Sequence, residues 1–195
     1  DKRKFLRTQK LLTAGPGQTD HLNIGDDTFL IVGENFDNKV TIWKDVRRQV
    51  QKRRTKQSST PSTSGQSQPY FVKVQELTDI AGAGAIALCR IDEAKLFLVA
   101  SSYHSGKKSV GWTSDTLVFQ WSSDSNKGFI EVPVQWIQGH GTHDAECASF
   151  QGHHYLFLSE DRDNEGTKIE SKLMIYDTAE EQYVVSQRFP TDGAH

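Results

Sequence analysis

Gly141-Thr142-His143-Asp144-Ala145-Glu146, then Phe150, then Tyr155-Leu156-Phe157-Leu158-Ser159-Glu160-Asp161, then Leu173-Met174-Ile175-Tyr176: this stretch decides the fold. Its apolar runs are short and rich in β-branched and aromatic residues. They carry no helical period, and Gln151-Gly152-His153 between the first two marks a hairpin. The same order occurs twice upstream. One copy runs through Gly17-Gln18-Thr19-Asp20, Phe29 to Asn35 and Val40-Thr41-Ile42-Trp43, the other through Gly82-Ala83-Gly84-Ala85, Leu96 to Ala100 and Leu117 to Trp121. Each copy opens on a further apolar run, at Phe5, Phe71 and Phe129, and a fourth opens at Tyr183 within Gln182 to Gln187.

The starts are about 66, 58 and 54 residues apart, and each copy offers about four strands. Four strands in roughly 50 residues is the size of one propeller blade, and such a sheet must stack on neighbours to bury its faces. The expected fold is all-β, with about three four-stranded antiparallel blades plus the start of a fourth. The expected organisation is a blade over 1–46, a basic and Ser/Thr-rich insertion over 47–69, blades over 70–124 and 125–180, and the start of another over 181–195. The Gly-x-x-Asp pattern makes Gly193-Ala194-His195 read as a repeat interrupted just before its acid.

Composition narrows the function classes. The chain has 195 residues, 35% hydrophobic and 25% charged, with a net charge of -2. That balance disfavours general nucleic-acid or membrane-surface binding. No apolar run approaches the roughly 18 residues of a spanning helix. Catalytic signatures are missing: no Gly-x-Ser-x-Gly elbow, no phosphate-binding Gly-x-x-x-x-Gly-Lys-Ser/Thr loop, no His-Glu-x-x-His. The chain reads as a binding or scaffolding surface and not as an enzyme. Cys89 and Cys147 are too few for a disulfide framework; two buried free thiols are expected, with a single bridge as the alternative.

Several residues invite a chemical reading. Asp20 and Asp144 follow a Gly-rich turn, where carboxylates could face a channel and hold Ca²⁺. An Asx-type turn, in which the acid accepts backbone N–H groups, accounts for them without an ion and is the expected role. His140, His143, His153 and His154 cluster in sequence without the convergence that zinc needs. Asp161-Arg162-Asp163-Asn164-Glu165-Gly166 begins like an EF-hand loop, yet Lys172 stands where the bidentate Glu belongs. Loops on a rigid scaffold carry binding, which makes Tyr103, His104, Trp112, Asp161 and Asp163 candidates for a partner face. The basic residues from Arg47 to Lys56 could hold heparan sulfate, although a solvated insertion is the simpler expectation.

The copies resemble epilepsy-associated (epitempin, EAR) repeats. In the third, Gly141 to Glu146, Phe150 and Tyr155 to Glu160 resemble the family's Gly-Ala-x-Asp-x-Glu turn, its aromatic and its following apolar strand; Asp144 and Glu146 are the motif acids. Ile42-Trp43, Phe119-Gln120-Trp121 and Ile175-Tyr176 resemble its aromatic strand. The second copy departs, with Ala85 and Ala87 at the acid positions. The resemblance implies a propeller, usually of seven blades, outside the cell. Its implied role is non-catalytic binding of another protein such as a cell-surface receptor ectodomain, in adhesion or receptor bridging.

Overall fold

The computed structural model describes residues 9–47, 70–103, 112–122 and 128–194. Twelve strands fill them: β1 Pro16–Ile24, β2 Asp27–Glu34, β3 Lys39–Asp45, β4 Phe71–Leu77, β5 Ala83–Arg90, β6 Leu96–Ser102, β7 Thr113–Gln120, β8 Gln135–His140, β9 Thr142–Phe150, β10 His153–Glu160, β11 Lys168–Asp177 and β12 Gln182–Asp192. They form three four-stranded meanders, β1 to β4, β5 to β8 and β9 to β12, every pair antiparallel. The first strands lie together, β1 touching β5 and β5 touching β9, as the inner strands of successive blades do.

The sheets stack front to back. Phe29, Ile31 and Ile42 on the front of the first sheet meet Leu96, Leu98 and Phe119 on the back of the second. Phe97, Val99 and Val118 on the second sheet's front meet Leu156, Leu158 and Met174 on the third sheet's back. The middle sheet is thus apolar on both faces, and β6 is buried along its whole length. Its continuous apolar run in the sequence reports this double coverage.

The structure shifts the phase of the repeat. Phe71–Leu77 pairs with β3 and closes the first sheet instead of opening the second. Phe129 bridges to Trp121 and leads into β8 of the second sheet, and Gln182–Asp192 closes the third. The sheets therefore span Pro16 to Leu77, Ala83 to His140 and Thr142 to Asp192, in place of the spans expected from sequence. The reason in the first sheet is geometric: the apolar run from Phe71 pairs antiparallel with β3, the strand before it among the described residues.

The turn glycine moves as well. Gly15, Gly82, Gly141 and Gly193 have φ of 57°, 60°, 57° and 62°, the left-handed region where glycine alone is unstrained. The carbonyls of the first three accept the N–H groups of Asn35 at 2.9 Å, Tyr103 at 3.2 Å and Asp161 at 3.2 Å. Gly15, two residues before Gly17, is thus the first copy's counterpart of Gly82 and Gly141. The buried carboxylates of Glu34 and Glu160 finish two of these turns by accepting the N–H of Ala14, at 2.8 Å, and of His140.

Cys89 and Cys147 form a disulfide, with Cα atoms 5.4 Å apart, in place of the two free thiols expected from sequence. Cys89 lies opposite Phe97 on the second sheet's front, and Cys147 opposite Leu156 on the third sheet's back. The stacking of faces brings them together. The bridge joins the inner strands β5 and β9.

Candidate functional site

Asn35, Tyr103 and Asp161 follow β2, β6 and β10 at equivalent places, each tied by its N–H to a turn glycine. Side chains from the second and third sheets gather at this end. Asp161 is fully buried. Its Oδ2 accepts the Tyr103 hydroxyl at 3.0 Å and Arg162 Nε at 2.6 Å. A buried carboxylate needs such compensation. The Arg162 guanidinium lies 4.9 Å from the Trp112 ring centre, a cation–π contact. Tyr103 meets Trp112 and His143 edge-on, at 5.5 and 5.4 Å between ring centres. Burial first, then the Asp161 hydrogen bond, holds the Tyr103 hydroxyl above the ordinary tyrosine range.

Backbone bonds fix the cluster. Trp112 N–H donates to Asn164 Oδ1 at 2.9 Å, and the Trp112 carbonyl accepts Gly141 N–H at 2.7 Å. Asp163 Oδ1 accepts the N–H groups of Glu165 at 2.7 Å and Gly166 at 3.0 Å, so this acid shapes the loop. A cleft of about 440 Å³ opens beside the cluster, between the inner strands, lined in part by Gln18, Asn35, Tyr103, His143 and Asp144.

Tyr103, Trp112 and Asp161 are therefore brought together, but in two roles. Trp112 is half-buried and presents surface, whereas Asp161 is a buried support. His104 lies outside the described residues, as do residues 48–56 of the basic run. Arg47 pairs with Asp45 and lies 5.5 Å from the Tyr70 ring centre. Arg162 and His143 were not singled out as anchors by the sequence. Arg162 reads there as part of an acidic loop, and its stacking on a tryptophan 50 residues away leaves no local signal.

The repeat-motif acids do not form a ring. Asp144 lies opposite Ser159 and Ala85 opposite Ser101, but Asp20 lies opposite Ile31. Asp20 is thus level with Glu146, which lies opposite Phe157, and Gln18 takes the place of Asp144 in the first sheet. Matching Gly17 to Gly141 concealed this two-residue slip. Asp20 and Asp144 each accept the N–H of the next residue, His21 at 2.7 Å and Ala145 at 2.9 Å. Those bonds are local, one residue tighter than the expected turn. Glu146 is exposed on β9. Among the described residues no three His, Cys, Asp or Glu side chains are placed to hold a metal ion. The histidines separate: His154 Nδ1 bonds Ser149 Oγ at 2.8 Å, while His143 faces Tyr103.

Among the described residues no helix is long and apolar enough to cross a membrane. Compared with known proteins, the chain matches no family model and no curated sequence.

Proposed function

We propose that this chain is a non-catalytic binding module that engages another protein through the end of its second and third sheets. The observation that carries the reading is the Trp112–Arg162–Tyr103 cluster assembled on buried Asp161. Tryptophan, tyrosine and arginine dominate the energetics of protein interfaces, above all when they are rigidly held. Two sheets supply the cluster, and their backbone bonds fix it before any partner arrives. The disulfide is compatible with an oxidising compartment. Together with the EAR resemblance it supports an extracellular setting and a receptor ectodomain as partner. The basic segment from Arg47 to Lys56 is a second, salt-sensitive contact for heparan sulfate in this reading.

The test is capture of cell-surface proteins by the immobilised chain and by Trp112→Ala, with thermal unfolding of both as a control on folding. Trp112→Ala should weaken the specific partner by about tenfold or more while leaving the melting temperature within a few degrees. Equal capture by both proteins, or no specific partner at micromolar concentration, contradicts the reading.

A further inference from the structure

The Cys89–Cys147 bridge lies on a cleft of about 220 Å³, at the end of the second and third sheets remote from the Trp112 cluster. Cys89 and Arg90 are the last residues of β5, and Cys147 lies near the end of β9. Tyr103 and Asp161 follow the opposite ends of the paired strands β6 and β10. The two sulfurs differ in access. Cys89 is 2% exposed, while Cys147 is half-buried and is followed by exposed Ala148 and Ser149. A thiolate entering the cleft therefore meets Cys147 on the open side. Access is one of the factors that decide which sulfur of a disulfide is attacked.

The cleft holds two donors that are not in use. Arg90 lines it, is exposed, and makes no ion pair or hydrogen bond among the described residues. Tyr183 lines it as well, and its buried hydroxyl has no partner among the described residues. His154, by contrast, is engaged, with its Nδ1 bonded to Ser149 Oγ at 2.8 Å. No carboxylate among the described residues lines the cleft. An exposed guanidinium held in no ion pair attracts anions. A buried hydroxyl without an acceptor favours a sulfur that becomes a thiolate, because the new charge is compensated where it forms.

We propose that Cys147 is a site of reversible S-thiolation by a small thiol that carries a carboxylate or sulfonate. Arg90 receives the anionic group, and the thiolate attacks Cys147 Sγ. A new S–S bond forms to Cys147 as the Cys89–Cys147 bond breaks. Cys89 departs with the electron pair as a thiolate, accepts a hydrogen bond from the Tyr183 hydroxyl and takes its proton from solvent. A second thiol then displaces the first from Cys147. Two thiols are thereby oxidised to one disulfide while the bridge is reduced to two thiols. These are the two cysteines of the chain, so the reaction removes the covalent tie between β5 and β9.

The probes are mercaptoethanesulfonate and cysteamine, an anionic and a cationic thiol of similar size, applied to the folded chain at low ionic strength. Each rate of bridge opening is divided by the rate of the same thiol toward hydroxyethyl disulfide. The anionic thiol should be favoured about threefold or more, and Arg90→Gln should erase the preference. Tyr183→Phe should slow both thiols alike, by about threefold or more. Sub-denaturing urea should leave the rates unchanged, since the bridge is reached in the folded state. Quenching with iodoacetamide followed by peptide mapping should place the first mixed disulfide on Cys147 and the alkyl group on Cys89. Rates that climb with urea would mean that the bridge is reached only through unfolding and would overturn the assignment. So would first adducts on Cys89, an anion preference that survives in Arg90→Gln, or full speed in Tyr183→Phe.

Discussion

The two sheet-to-sheet interfaces come from one repeat and are held by different means. Between the first and second sheets the backbones approach closely. A Cβ on Gly17 would lie 2.5 Å from the Gly84 carbonyl oxygen, and one on Gly33 2.6 Å from that of Ala83. Large side chains such as Ile31, Leu98 and Phe119 fill the rest, and Gln18 Oε1 accepts Ile86 N–H at 2.9 Å. Between the second and third sheets the inner strand is lined by Ala85 and Ala87, and the Cys89–Cys147 bridge crosses the gap. One interface is fixed by close backbone approach, large side chains and hydrogen bonds, the other by an inner strand of small side chains and a covalent bond. A repeat therefore dictates which faces meet, while the details of approach are settled separately at each interface.

The disulfide gives the largest expected effect. Its sequence separation is 58 residues, so Cys89→Ser with Cys147→Ser should cost about 4 kcal/mol, read as a lower denaturation midpoint. The loss should fall on the third sheet first; equal loss of hydrogen-exchange protection across both interfaces would blur the contrast. Gly33→Ala strikes the other interface, where the Ala83 carbonyl must move, and should cost about 1–3 kcal/mol with the bridge intact. An unchanged urea midpoint would mean that the close approach is not constraining.

Two glutamines sharpen the comparison: Gln75 accepts the N–H of Phe129 and donates to its carbonyl, and Gln135 does the same for Tyr183. Gln75→Ala and Gln135→Ala each leave a backbone N–H and C=O without their partner and should cost about 1–2 kcal/mol. Amide exchange at Phe129 should rise more in the first variant than exchange at Tyr183 in the second, because the bridge still holds the third sheet. The reverse order would deny the bridge that role.

The smallest effect concerns pH. Tyr183 is buried with no partner for its hydroxyl among the described residues, and burial, then Tyr176, raises its titration above the ordinary tyrosine value of about 10. The folded state thus holds this proton more tightly than the unfolded state. The contribution is complete below about pH 10 and is lost as pH rises toward the folded value. Tyr183→Phe should change stability by less than about 1 kcal/mol at neutral pH and flatten the alkaline decline. Part of the decline should remain with Tyr103, which is shifted in the same direction. An alkaline profile identical to that of the unmutated chain would contradict the assignment.

The strands, their number and the stacking requirement were legible because alternating and doubly buried runs leave a direct mark in sequence. Leu96 to Ala100 is apolar throughout because both its faces are covered. Phase was not legible. Whether Phe71 opens one sheet or closes another depends on which edge it pairs with, and its sequence is compatible with both. Gly15 and Gly17 look alike as letters, and only the left-handed φ of Gly15 tells them apart. The pairing of Cys89 with Cys147 needed the stacking of faces. Tyr103 and Trp112 were legible as loop aromatics; the Asp161 and Arg162 contacts that hold them depend on two sheets meeting.

If the interfaces are equivalent beneath their differences, the second can be copied into the first. Leu22 lies opposite Phe29 as Cys89 lies opposite Phe97, and Leu88 lies opposite Leu98 as Cys147 lies opposite Leu156. Leu22 and Leu88 belong to the same packed cluster. The measurement is non-reducing peptide mapping of the Leu22→Cys, Leu88→Cys variant. A second bridge joining positions 22 and 88, with Cys89 still bonded to Cys147, is the predicted result. Free thiols at 22 and 88, or exchange with the native pair, would contradict a front-to-back stack of equivalent sheets.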